Sequence, residues 1–226
     1  MKIEQLTLAY EFNGQLQKVY PSLIQSENEL VLVDCGYAGM QEALEQEINQ
    51  KGYDAIQLTT IFITHHDDDH MGALAEWISK YPHIKVAAGK GEKDYISGDR
   101  KSLRLIQAEE MLEKLPEEEK SFGEWFIAQQ KAVQPVKVDL IFNEGETFAG
   151  CDIIHTPGHM PGHTSLYNKE LNLVITGDAA VVEDNRLVIA NPQFTLDRAE
   201  AERSLNKLLS LPATTYLCYH GGTYKR

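Results

Sequence analysis

Cysteine is scarce in this sequence: Cys35, Cys151 and Cys218 are the three in 226 residues, far apart, odd in number and without a CxxC pair. That pattern excludes a disulfide framework, and it points to reduced, partly buried thiols rather than a nucleophile. No run of about eighteen apolar residues occurs, so no membrane-spanning helix is expected. The opening segment MKIEQLTLAYEFNG turns polar and alternating at once. It lacks the apolar stretch and small-residue cleavage site of a signal peptide, so a cytoplasmic protein is expected. Basic residues are few, 21 against 34 acidic, for a net charge of -13. A surface of that sign repels nucleic acid and anionic membrane, so neither is an expected partner. No Pro/Gly/Ser-rich linker and no internal repeat divides the chain, and residues 1–226 are read as one domain.

What is present is a layered rhythm. KIEQLTLAYEF alternates like a strand, and ELVLVDCG and LTTIFIT read as short buried strands. Between them AGMQEALEQEINQKGY has helical spacing, with Met40, Ala43, Leu44 and Ile48 on one face and Gly52 at its end. GALAEWISKY reads as a helix and IKVAA as a strand. Strand signals return after Pro135 in VKVDLIF, TFAGCDIIHT, HTSLYN and LNLVITGD. An amphipathic helix, DRAEAERSLNKLLSL, then precedes a last strand, TTYLCYHGG, and a tail read as frayed. This alternation predicts an α/β fold. A charge-rich helical insertion around residues 99–132, broken at Pro116, interrupts it. Its apolar residues suggest two stripes, one through Leu103, Ile106, Met111, Leu112 and Leu115, the other through Phe122, Trp125 and Phe126. Such an insertion docks on the core, covers the active site, or does both.

The histidines carry the chemistry. Of eight, six lie past predicted strands or in Gly/Pro loops: His65, His66, His70, His159, His163 and His220. His83 falls in a turn, and His155 lies within a strand. In IFITHHDDDHMG a buried strand delivers six consecutive ligand-type residues, His65 to His70. A core cannot accept that many such groups without a cation, because burying bare carboxylates costs several kcal/mol each. HTPGHMPGHTSLY fixes His159 and His163 in tight Pro/Gly turns. VITGDAA ends a strand with Asp178, and CYHGG ends one with His220.

In this order the segments resemble the metallo-β-lactamase superfamily, near its glyoxalase II and lactonase-like branches. The resemblance runs from VDCG at Asp34 to CYHGG at His220. It implies an αββα four-layer sandwich and two divalent metal ions, Zn²⁺, Mn²⁺ or Fe²⁺. His65, Asp69, His70, His159, Asp178 and His220 match metal ligands of the family. Asp34 and His163 match residues that support the ligands from behind. One position departs: HxHxDH reads HxDxDH here, with Asp67 where the second histidine stands. A carboxylate also ligates these metals. By analogy His65, Asp67 and His159 form the first site, Asp69, His70 and His220 the second, and Asp178 bridges them. His66 is a rival for the exchanged role but points away if the loop is extended. Three carboxylates and a bridging hydroxide neutralise two divalent ions, which suggests a tilt toward the harder Mn²⁺ and Fe²⁺.

The resemblance implies a metal-dependent hydrolase in which a metal-bridged hydroxide attacks a carbonyl and Asp69 is the catalytic acid–base or water-orienting group. The expected substrate is a small molecule with an ester-like bond: thioester, lactone or ester. AAVV follows Asp178, without the tyrosine of lactonase relatives, and Tyr37 and Tyr219 are weak candidates to replace it. No basic region like that which holds glutathione in glyoxalase II is evident past His220. A phosphodiesterase of the same fold and a non-catalytic metal-binding module are the alternatives. The first conflicts with the acidic balance and the second with the full ligand set. A homodimer is compatible with the sequence.

Overall fold

Leu30–Val33 and Leu58–Ile63 carry apolar or β-branched side chains at nearly every position, as strands buried on both faces do. The computed structural model describes residues 1–12 and 14–226, and in it these two strands lie side by side and parallel. The first half of the chain runs β1 (Lys2–Gln5), β2 (Leu8–Phe12), β3 (Gln15–Val19), β4 (Ser22–Gln25), β5 (Leu30–Val33), α1 (Gln41–Gln50), β6 (Leu58–Ile63), α2 (Asp68–Met71), α3 (Leu74–Lys80), β7 (Lys85–Gly89), α4 (Lys93–Ile96), α5 (Leu103–Leu112), α6 (Lys120–Ala132) and β8 (Leu140–Phe142). The second runs β9 (Thr147–Phe148), β10 (Cys151–His155), β11 (Thr164–Asn168), β12 (Leu173–Gly177), β13 (Val181–Glu183), β14 (Arg186–Val188), α7 (Arg198–Ser210), β15 (Thr215–Cys218) and β16 (Gly222–Lys225).

Two six-stranded sheets result, ordered β1-β4-β5-β6-β7-β8 and β16-β15-β12-β11-β10-β9. Val31, Val33 and Phe62 of the first sheet meet Ile153, Leu166 and Ile175 of the second in one buried cluster. The outer face of the first sheet is covered by Leu44 and Ile48 of α1 and by Leu74 and Trp77 of α3. The outer face of the second is covered by α7, whose Ala201, Ser204 and Leu208 are buried at helical spacing. This is the expected αββα sandwich. Its strand ends gather the histidine and aspartate loops at one edge.

Two local expectations are corrected. KIEQLTLAYEF is two strands, because the chain leaves the sheet after Gln5 and returns through a β2–β3 hairpin of its own. The tail is an ordered edge strand: Gly221 and Gly222, at φ 84° and 82°, reverse the chain, and β16 pairs with β15 through Tyr216 and Tyr224. In the insertion, α5 buries Arg104 and Ala108, while its apolar stripe is only half-buried. Phe122 and Trp125 of α6 stay 50% and 44% exposed, because they border a cavity rather than the core.

Candidate metal centre

The site forms where buried strands run out. β6 ends at Ile63 and hands His65 to His70 to the following turn and to α2. Asp178 follows β12, His220 follows β15, and His159 sits between β10 and β11. The ends of paired strands are rigid, which suits side chains that must be held in place.

All seven residues expected to ligate metal converge. His65 Nε2 and His159 Nε2 lie 3.4 and 3.0 Å from Asp67 Oδ2. His220 Nε2 and His70 Nε2 lie 3.1 and 3.5 Å from Asp69 Oδ2. Asp178 stands between the two groups: Oδ1 is 3.3 Å from His70 Nε2 and 3.5 Å from His220 Nε2, and Oδ2 is 3.5 Å from His159 Nε2. The donor atoms form three overlapping groups, His65–Asp67–His159, His65–His70–Asp178 and Asp69–His70–His220, each within 4.8 Å.

The supporting residues lie behind them. Asp34, at φ 61°, accepts from Thr64 N at 2.9 Å and Thr64 Oγ1 at 2.8 Å, and its Oδ2 lies 2.8 Å from His70 Nδ1. A proton on Nδ1 leaves the Nε2 lone pair of His70 facing the cluster. His163 Nε2 accepts from Asp178 N at 2.9 Å and so fixes the backbone of that loop. Gly177 permits this approach, since a Cβ there would lie 2.6 Å from His163 Nε2. His66 turns away: it is bonded to Glu92, stacks on Tyr95 and accepts from Leu103 N at 3.2 Å. His83 and His155 are exposed and bond backbone carbonyls.

Whether a cation fits is answered by the orphaned atoms. His65 Nε2, His70 Nε2 and Asp178 Oδ1 are buried without a hydrogen-bond partner, and all three face the cluster. Buried polar atoms are almost always paired, so their common direction into the cluster suits cations held there. The set of imidazoles and carboxylates fits Zn²⁺, Mn²⁺ or Fe²⁺.

Sequence reasoning missed Arg104. It comes from α5, is 2% exposed, and donates from Nε to both Asp67 oxygens at 3.1 and 3.2 Å and from Nη2 to Oδ2 at 2.6 Å. Nothing in the spacing marks it, since it lies 37 residues from Asp67 within a helix of ordinary composition. It also removes the basis for a neutral core. One further positive charge offsets the extra carboxylate and restores the balance of an all-histidine set, so the argument for harder ions falls. Tyr219 is structural: its hydroxyl donates to the Asp69 carbonyl at 2.6 Å and its ring packs on His70. All three cysteines are buried, and burial pushes the thiols of Cys151 and Cys218 up to about 12 and that of Cys35 well above its ordinary range, which leaves no thiolate nucleophile.

The local charges split the histidines. Burial and the neighbouring His70 push His65 down to about 3, and burial with His65 and His159 pushes His163 well below its ordinary value. Burial opposes the charged form of His70, but Asp69, Asp34 and Asp178 overcome it and hold its pKa well up. His220 is likewise raised by Asp178 and Asp69 against burial. Burial and the adjacent Asp69 push Asp68 up to about 7.

A stability profile for the metal-free protein follows. Below the unfolded histidine value of about 6.5, the unfolded chain takes up protons that folded His65 and His163 refuse, so stability falls with falling pH. Asp68 opposes that trend with a single proton. Above about 6.5, His70 and His220 keep protons that the unfolded chain has released, and their contribution is lost as pH rises through their raised values. Thermal melts of metal-stripped protein should peak at about pH 6–6.5 and decline toward pH 9. A melting temperature that rises steadily to pH 9 would contradict these assignments.

A cavity of about 300 Å³ opens onto the cluster, lined by Asp67, Asp69, Arg104, His159, Asp178 and His220. A second cavity, of about 540 Å³, continues from it through Tyr37, Phe126 and Phe194. Tyr10, Phe12, Met40, Phe122 and Trp125 line its walls. The insertion therefore contributes to both cavities.

Sandwich, strand-end loops and convergent donors are those of the metallo-β-lactamase fold. The chain belongs to the metallo-β-lactamase superfamily, whose family model matches residues 17–220. It is 28% identical over 221 residues to YflN of Bacillus subtilis, a probable metallo-hydrolase, spanning 92% of this chain and 81% of that protein. It is 26% identical over 170 residues to a hydroxyacylglutathione hydrolase of Trichodesmium erythraeum, spanning 75% of this chain but 52% of that enzyme. Among solved structures, the metallo-beta-lactamase family protein TTHA1429 of Thermus thermophilus superposes with a TM-score of 0.75 at 23% identity, over 99% of this chain and 74% of that one. Among the described residues, no helix is long and apolar enough to cross a membrane.

Proposed function

We propose that the chain is a single-domain, dinuclear metallo-hydrolase that cleaves an ester-like bond, a thioester, lactone or ester, in a small molecule carrying an apolar acyl or aromatic group. The observation that carries this reading is the placement of Asp178, with one carboxylate oxygen toward His70 and His220 and the other toward His159. His65, Asp67 and His159 would hold one ion, Asp69, His70 and His220 the other, and Asp178 would join them. Divalent zinc, manganese or iron bound there supplies Lewis acidity and brings the pKa of water near neutrality. Asp69, beside His220 and lining the cavity, orients the attacking water and accepts its proton. Asp34 keeps His70 in the tautomer that presents Nε2. Arg104, on the same cavity wall, adds a fixed positive charge beside Asp67.

The aromatic cavity beyond the cluster supports an apolar substrate portion, and the net charge of -13 speaks against a polyanionic phosphodiester. The test is a panel of thioesters, lactones, esters, β-lactams and phosphodiesters, each with Mn²⁺, Fe²⁺ and Zn²⁺ supplied. Turnover is expected on the ester-like compounds only. Turnover confined to phosphodiesters, or none above metal-free controls, would reject the proposal. Trp125→Ala should raise KM about tenfold for a long-chain acyl ester and leave an acetyl ester unchanged, as expected for loss of one apolar wall. Equal effects on both esters would remove the cavity from the substrate path.

A further inference from the structure

We propose that Arg104 keeps the first metal position weak, so that the two positions fill in order, the second before the first. The inference rests on the metal-centre reading above.

The oxygen at issue is Asp67 Oδ2. It lies 3.4 Å from His65 Nε2 and 3.0 Å from His159 Nε2, and is thus the carboxylate atom aimed at the space a first ion would take. Arg104 already holds it, through Nη2 at 2.6 Å, while Nε reaches both oxygens of the same carboxylate. Nη2 also lies 3.2 Å from His159 Nε2, the second expected donor. A guanidinium has no lone pair to offer a metal and does not lose its proton in a protein. An ion entering between His65, Asp67 and His159 therefore meets a fixed positive charge and competes for an oxygen engaged in a charge-assisted bond.

Arg104 cannot easily swing aside. The preceding residue is tied down, since Leu103 N donates to His66 Nε2, and His66 is itself held by Glu92. Arg104 Nη1 bonds Gln107 Oε1, and the guanidinium lies over the Phe194 ring, 5.3 Å from its centroid. The second position is different. Among the described residues, no lysine or arginine pairs with Asp69 or Asp178, whose ionic partners are all histidines. Arg104 is a permanent cation already seated on its carboxylate. This asymmetry belongs to the exchanged position: a histidine at residue 67 would offer an arginine no carboxylate.

An ordinary supporting role for Arg104 predicts the opposite sign. If it only oriented Asp67, its removal would loosen the first position; if it competes, its removal tightens it. Calorimetric titration of metal-stripped protein with Mn²⁺ and with Zn²⁺ separates the two. Wild type should bind one equivalent tightly and a second about 10- to 100-fold more weakly, the scale of one hydrogen bond to a charged group. Arg104→Gln should tighten the weak equivalent until the two differ by no more than about threefold. Arg104→Lys, which keeps the charge but loses the fork, should fall between. His220→Ala leaves Arg104 in place, so it decides the matter if Arg104→Gln does not fold: only a weak equivalent should survive. Two equally tight equivalents in wild type, a weaker second equivalent in Arg104→Gln, or a tight survivor in His220→Ala would overturn the inference while leaving the metal centre standing. No binding by any folded form would overturn the metal-centre reading itself.

Discussion

Asp178→Ala is expected to abolish stable metal loading and to lower turnover at least about a thousandfold, the scale on which single members of a catalytic unit are lost. The fold should survive. Asp178 follows β12, which is paired on both sides, and its backbone N–H keeps its bond to His163 whatever the side chain. His70 keeps Asp34 and Asp69 beside it and His220 keeps Asp69, so no buried charge is stranded. We expect a change in metal-free stability within about 1 kcal/mol, well below the effect of a stranded buried ion. The checks are metal content by mass spectrometry, a melting curve, and turnover on the substrate found in the panel. Asp67→Ala makes the informative contrast, because its partner Arg104 is buried and cannot discharge. That variant should lose about 3–5 kcal/mol in the metal-free state.

Asp34→Ala should combine loss of stability with loss of metal. Three groups converge on this carboxylate: Thr64 N, Thr64 Oγ1 and His70 Nδ1, all buried. Alanine leaves Thr64 N without its acceptor and places a Cβ without side-chain compensation at φ 61°, where Asp and Asn are favoured. A loss of about 3–5 kcal/mol is expected, measured by denaturant unfolding of the metal-free protein. Asp34→Asn separates packing from chemistry. It tolerates the left-handed backbone and can still accept from Thr64 N, so most of the stability should return. Its amide nitrogen then faces His70 Nδ1 and favours the wrong tautomer, with the proton on Nε2. Metal affinity should therefore stay about 10- to 100-fold below wild type, as for other residues that orient a ligand from behind. Wild-type affinity in Asp34→Asn would remove Asp34 from that role.

The parts legible in the sequence were those written as local pattern. LTTIFIT followed by HHDDDH is a buried strand running into ligand-type residues, and a strand end fixes where such side chains go. The doubled Pro-Gly-His loop and the single residues Asp178 and His220 were legible for the same reason. What was not legible depends on long-range placement. Arg104 is an arginine in a helix, and only the docking of α5 against the β6–α2 turn aims it at Asp67. Arg104 also adds a positive charge that a count of ligands alone leaves out. The exposed ring of Trp125 was legible only as part of an apolar stripe, because spacing reports which residues share a face and not what that face meets. The C-terminal strand was hidden by its own turn: Gly221 and Gly222 read as the start of a loop but form the reversal of a hairpin.

Anomalous X-ray diffraction from crystals loaded with Mn²⁺ or Zn²⁺ shows whether the donors converging at the strand ends hold divalent metal. A strong anomalous peak is expected among Asp69, His70, Asp178 and His220, and a second, weaker one among His65, Asp67 and His159. A saturating metal concentration that leaves this cluster without an anomalous peak, or a metal bound only elsewhere, would contradict the metal-centre reading.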